Sequence, residues 1–159
     1  MVAHAKPSTP PPPADRVLVL TRVFDAPREL VFKAWSSAEH MANWFGPHEF
    51  TLPFCETDFR PGGKYRLCMR GPDGKDYWLE GVYREIVEPQ RIVFTWERNG
   101  ADDPHPGHTL LTVTLDEVDG GKTRLTLHQA AFDATESRDG HRHGWTEALE
   151  RLAAYVGKL

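Results

Sequence analysis

The order of apolar patterns along this chain predicts an α+β fold, a curved antiparallel sheet of about seven strands with a long C-terminal helix across its concave face. Three observations carry that prediction. From Thr51 to Ala130 the sequence alternates short β-rich runs with turn signals. The connections between those runs are too short for βαβ crossovers, so neighbouring strands are antiparallel. The last segment has the 3.6-residue apolar repeat of one amphipathic helix, and that helix must cover the apolar face of the sheet.

The N-terminal segment, residues 1–15, holds Pro7 and the run Pro10 to Pro13. Proline removes a backbone donor and fixes φ, so the segment favours polyproline II over helix or central strand. It is expected to be a disordered, solvated tail preceding one domain over residues 16–159.

A β-branched and apolar run, Val17 to Phe24, is the first predicted strand and ends at Asp25-Ala26-Pro27. Asp25 is a candidate cap for the helix that follows, with Pro27 in its first turn. Leu30, Val31, Ala34 and Trp35 recur at helical spacing. Ser37 is a second N-cap candidate, followed by Ala38, Met41, Ala42 and Phe45 on one face. Six strands are then predicted over 52–60, 64–70, 76–87, 91–98, 109–117 and 122–130, separated by turns such as Pro61-Gly62-Gly63 and Asp119-Gly120-Gly121. Gly81, inside a strand, predicts a bulge or bend that lets the sheet curl. In the final helix Trp145, Ala148, Leu149, Leu152, Ala153 and Val156 share one face, and Asp133 with Glu136 resembles a capping box at its start.

Strict alternation assigns faces. Leu111, Val113 and Leu115 point inward, as do Leu125 and Leu127, Ile92, Phe94 and Trp96, and Tyr65, Leu67 and Met69. Strand 76–87 is ambiguous, because Tyr77, Leu79 and Tyr83 compete with Trp78, Val82 and Ile86. His128 points away from the core and Gln129 into it.

Composition excludes several classes of function. The net charge is -4, and acidic and basic residues are interspersed, which leaves no footprint for nucleic acid or anionic membrane. No apolar run is long enough for a membrane span, and no secretory signal pattern opens the chain. Two cysteines do not make a disulfide scaffold, so a reducing, cytoplasmic setting is expected. If Pro61-Gly62 forms the hairpin loop, Cys55 faces Cys68; if Gly62-Gly63 forms it, Cys55 faces Arg70. His141 and His143 lie on different helix faces and cannot chelate together, so no metal site is predicted. Gly62-Gly63-Lys64 lacks phosphate-loop spacing, and no nucleotide, nicotinamide or other cofactor is implied.

Four segments resemble one known family. They are Trp44-Phe45-Gly46-Pro47, Asp58-Phe59-Arg60-Pro61-Gly62-Gly63, Glu80-Gly81-Val82-Tyr83-Arg84-Glu85-Ile86 and Gly144-Trp145. They look like the markers of the activator of 90-kDa heat-shock protein ATPase homologue-like family, within the START-like (SRPBCC, Bet v-like helix-grip) superfamily. The resemblance covers about residues 16–157. It implies a helix-grip fold and a hydrophobic-ligand pocket, with cyclase- or hydrolase-like chemistry or chaperone regulation as the family's other uses. Physically, Asp58 and Arg60 flank a tight turn and are expected to brace it.

The leading expectation is a small hydrophobic or aromatic ligand held between the sheet and the C-terminal helix. The expected wall is Trp44, Phe45, Tyr65, Tyr83, Phe94, Trp96, His141, Trp145 and Leu149. An enzymatic alternative uses His141, Glu80 or Asp58 as acid or base in the same pocket. A third reading is a regulator of a chaperone or other protein partner, and a homodimer is compatible with the sequence.

Overall fold

The computed structural model describes residues 11–100 and 102–159; residues 1–10 of the Pro-rich segment lie outside the described residues. Ala14–Arg16 form a single 3-10 turn, and Arg16 and Arg138 tie it to the helix that closes the chain through Asp133 O at 2.6 Å and Ala14 O at 3.4 Å. Next come β1 (Leu18–Phe24), α1 (Arg28–Ala34) and α2 (Ala38–Met41). Six strands follow: β2 (Thr51–Thr57), β3 (Lys64–Arg70), β4 (Asp76–Val87), β5 (Arg91–Arg98), β6 (Gly107–Val118) and β7 (Lys122–Ala130). The chain closes with α3 (Thr135–Val156). The strands form one antiparallel sheet in the order β1-β7-β6-β5-β4-β3-β2, curled around α3. The predicted α+β helix-grip architecture is present in full.

The helix starts differ from expectation. Asp25 does not cap α1; Pro27 holds the N-cap position and no side chain bonds there. Nor does Asp133 open a capping box on α3, whose N-cap is Ala134. Ser37 caps α2 as predicted, its Oγ accepting from His40 N at 3.2 Å. That helix is a single turn, so Ala42 falls past its end and is exposed.

The faces follow alternation, and the ambiguous strand has a physical resolution. Tyr83 pairs with Phe94, but Glu85 pairs with Val93 and Ile86 with Ile92. One extra residue on β4 therefore switches its inward set from Tyr77, Leu79 and Tyr83 to Ile86, which is how a bulge re-aims a strand. Gly81 lies just before this bulge. A Cβ there would sit 2.0 Å from the Thr95 carbonyl oxygen and 2.6 Å from the Tyr65 ring. Only glycine lets β3, β4 and β5 pass this closely.

Both proposed cysteine registers are corrected. Cys55 pairs with Leu67 and Cys68 with Phe54, so the two thiols point to opposite faces of the sheet and cannot meet. The turn runs from Asp58 to Gly63 with two extra backbone bonds, Arg60 N to Asp58 O and Gly63 N to Arg60 O, which shifts the register from either simple hairpin. Arg60 Nε donates to Asp58 Oδ2 at 2.8 Å, the bracing pair expected of this motif.

The core divides into two halves. In one, Leu111, Val113, Leu115, Leu125 and Leu127 of the sheet and Leu149, Leu152 and Val156 at the C-terminal end of α3 are all buried. Each such side chain contributes about 1.5–3 kcal/mol by leaving water, so this half anchors the helix. Around the N-terminal half of α3 the fill is aromatic: Trp35, Trp44, Phe45, Phe94, Trp96 and Trp145. The inward stripe of α3 also starts earlier than Trp145, with buried Ser137 and His141.

Candidate functional site

The aromatic half of this core leaves a cavity of about 240 Å³, open on one side. Its floor is Met69, Tyr77 and Trp96 on β3, β4 and β5. One wall is His141, Trp145 and Ala148 on α3. Two loops form the lips, Phe45 to Phe50 on one side and Pro104-His105 on the other. Trp145 is held by stacking on Trp35 at 5.9 Å and by the edge of Phe45 at 5.7 Å.

Of the two α3 glycines beside the lips, Gly140 sits in a tight contact and Gly144 in an ordinary one. A Cβ at Gly140 would lie 3.0 Å from His105 Nε2, and one at Gly144 would lie 3.5 Å from Pro47 Cγ. The first lip is pinned further by Arg151, whose Nη1 donates to the carbonyls of Phe45, Gly46 and Pro47 at 3.3, 3.0 and 3.0 Å. His48 adds a contact of 2.7 Å to Glu150.

The polar part of the site is concentrated at one end. Arg98 closes β5 and forks onto Asp103, Nε to Oδ2 at 2.8 Å and Nη2 to Oδ1 at 2.5 Å. The Asp103 side chain is only 2% exposed, so this is a desolvated ion pair. His141 Nδ1 lies 2.7 Å from the Ser137 carbonyl, which can only accept. The proton is therefore on Nδ1, and Nε2 accepts from Trp96 Nε1 and Arg98 Nη1, each at 3.2 Å. Burial first, then the nearby Arg98 and His105, push the His141 pKa down to about 4, against the Ser137 bond and Asp103, which favour the cation. His141 is a neutral, fully bonded imidazole. Deeper in the wall, buried Gln129 accepts from Trp145 Nε1 at 3.0 Å and donates to Thr109 Oγ1 at 2.8 Å.

The structure brings together four of the nine expected wall residues: Phe45, Trp96, His141 and Trp145. Tyr65, Tyr83 and Phe94 form a packed layer beside the cavity, where a void of only about 10 Å³ remains. Trp44 is fully buried and donates its indole N–H to the Ala34 carbonyl at 3.0 Å, while Leu149 belongs to the aliphatic half. The acid/base assignments are corrected by geometry. Glu80 and Asp58 are on the outer face of the sheet, lining a separate groove, and bond to Asn99 and Arg60. His141 is in the cavity, and in this arrangement its Nε2 lone pair is engaged by two donors.

Arg98, Tyr77, Met69, Phe50, His105 and Ala148 were missing from the expected wall. Arg98 follows Ile92, Phe94 and Trp96 at period two, and that signal was legible. The loop residues had none. Among the described residues no three His, Cys, Asp or Glu side chains are grouped to hold a metal, and no helix is long and apolar enough to cross a membrane.

Residues 25–157 match the family model described as Activator of Hsp90 ATPase homolog 1-like protein. The chain belongs to this family. Solved structures with the same fold include a Chromobacterium violaceum protein, 29% identical, with a TM-score of 0.76 and covering 89% of this chain and 96% of that one. A Rhizobium leguminosarum protein is 28% identical with a TM-score of 0.75, covering 90% and 95%. An AHSA1 protein from Silicibacter pomeroyi is 26% identical with a TM-score of 0.77, covering 89% and 97%. No curated protein matches the sequence. Activator-homologue family members are ligand-binding or regulatory proteins.

Proposed function

We propose that this activator-homologue family member binds a compact, largely apolar or aromatic small molecule in the cavity between α3 and the sheet. One observation carries the reading: an aromatic-lined space of about 240 Å³ opens to solvent between two loops, one held to α3 by Arg151 and the other to β5 by the Arg98–Asp103 pair. Such a site is mostly apolar with a few fixed polar groups, the composition of small-molecule pockets. Its volume is below the roughly 300–1,000 Å³ of drug-sized sites, which favours a small ligand.

The enzymatic alternative has less support, because Glu80 and Asp58 line the outer groove and His141 Nε2 accepts from two donors in this arrangement. A regulator of a protein partner would be favoured by a contiguous apolar patch. The exposed valines Val19 and Val23 on β1 are instead separated from Leu110 by the outward rows containing His128, Thr126 and Arg124.

A thermal-shift screen of small apolar and aromatic compounds tests the binding reading. A ligand at 100 times its Kd adds about 2.7 kcal/mol, which raises Tm by roughly 5–10 °C in a chain of this size. Ala148→Phe, which places a ring in the cavity, should remove the shift. A broad panel without any stabilising compound, or shifts unaffected by Ala148→Phe, would count decisively against a cavity ligand.

A further inference from the structure

Arg98 is the one cationic side chain lining the cavity among the described residues. Its guanidinium has five N–H groups. Three are engaged, two by Asp103 and one by His141, and two have no protein acceptor among the described residues. The group cannot swing away to satisfy them. Asp103 holds it by a two-point fork, His141 holds Nη1, and the Tyr77 ring lies 5.7 Å from its central carbon. His141 is itself fixed by the Ser137 carbonyl, and Asp103 accepts a further bond from His105 N at 2.8 Å. The result is a fixed guanidinium lining an otherwise apolar cavity with two N–H groups to spare, one on Nη1 and one on Nη2, and an ordered donor costs a ligand little to engage.

The charge balance at that end selects among acceptors. Asp103 already neutralises Arg98, and both side chains are nearly out of water, at 2% and 11% exposure. A ligand carboxylate would lose its hydration and gain a second anion beside Asp103. A neutral acceptor loses far less on entering and still receives charge-assisted N–H bonds. Resting on the cavity-binding reading above, we infer that the ligand is a compact aromatic or alicyclic molecule bearing a neutral carbonyl-type oxygen, which the two free N–H groups of Arg98 receive. Asp103 acts as the selectivity element: it rejects carboxylates by occupying the guanidinium's charge.

Three bicyclic probes of similar size separate the possibilities: 1-tetralone, its hydrocarbon tetralin, and 1-naphthoate. Binding is followed by the NMR shifts of the Trp96 and Trp145 indole N–H groups, which report from the cavity wall. With the native chain, tetralone should bind about tenfold more tightly than either other probe, a difference of about 1.4 kcal/mol. Asp103→Asn leaves the Arg98 charge uncompensated, so naphthoate affinity should rise about tenfold, a gain that a misfolded protein does not produce. Arg98→Gln should bring tetralone and tetralin to within about twofold of each other, with the fold checked by circular dichroism. Equal binding of tetralone and tetralin by the native chain overturns the carbonyl inference while leaving the cavity reading standing. Naphthoate binding most tightly to the native chain, or no gain in Asp103→Asn, overturns the selectivity role of Asp103. If none of the probes moves either indole resonance, both the inference and the binding reading fall.

Discussion

The hydroxyl of Tyr65 on β3 passes the bare backbone of Gly81 on β4 and donates to the Thr95 carbonyl on β5 at 2.6 Å. The β4–β5 ladder is open at this point, and Val82 N finds Thr95 Oγ1 at 2.8 Å instead. Three strands are thus tied by two side chains where the usual backbone pairing is missing, and the sheet bends there.

Gly81→Ala should be among the most damaging single-methyl additions in the chain. The new Cβ would lie 2.0 Å from a backbone oxygen that cannot rotate away. Separating the strands would also break the Tyr65 bond. A loss of about 3 kcal/mol is expected in urea unfolding, at the upper end for overpacking. Tyr65→Phe, which removes the bond but not the space, should cost about 1 kcal/mol.

His141 makes a specific contribution to acid sensitivity. Its folded pKa is about 4, below the ordinary histidine value of 6.5, so between these values the unfolded chain binds a proton that the folded chain does not. Stability therefore falls as pH drops from about 6.5 towards 4 and is fully present above that window. The lost amount is on the order of 3 kcal/mol. His141→Gln should be less steep than the native protein over that window when stability is measured by denaturant titration at several pH values. Parallel pH profiles for the two proteins would show that His141 is not buried in neutral form.

The buried chain from Trp145 through Gln129 to Thr109 should behave as a unit. Gln129→Leu strands an indole N–H and a hydroxyl without water, at a cost of about 2 kcal/mol. Trp145→Phe removes the donor but also packing. The double variant should be less destabilised than the sum of the single variants, because the second change no longer strands a partner. Additive costs in the double-mutant cycle would argue that these groups are not coupled.

Cys55 and Cys68 should remain two separate thiols. They point to opposite sheet faces, and burial pushes the Cys55 pKa up to about 11 and raises that of Cys68, so little thiolate forms near neutrality. Mild oxidation followed by mass spectrometry without reductant should leave both free. Alkylation at pH 8 should be much slower than for a model peptide thiol. Loss of two hydrogens from the intact mass would contradict the register of β2 and β3.

The order of elements, the inward faces of β3, β5, β6 and β7, and the apolar stripe of α3 were determined by the sequence alone. Side-chain alternation and helical period are properties of the local backbone, so Leu111, Leu125 and Trp145 announce their direction wherever the chain folds. The same rule pointed Arg98 inward, behind Trp96, though a charged residue at a strand end gave no sign of the buried partner it would need. Other features were decided only in three dimensions. The β4 bulge reconciled two competing faces, and the Asp58–Gly63 turn set a register that separates the cysteines. Tyr65 and Phe94 pack tightly while Trp96 and Trp145 border open space, because a void is whatever distant segments fail to fill together. His105 and Pro47 reach the cavity, and Asp103 reaches Arg98, through loop paths that no periodicity encodes. A pattern local to one strand fixes which side chains face inward; only the assembled sheet, loops and helix fix what lies in front of them.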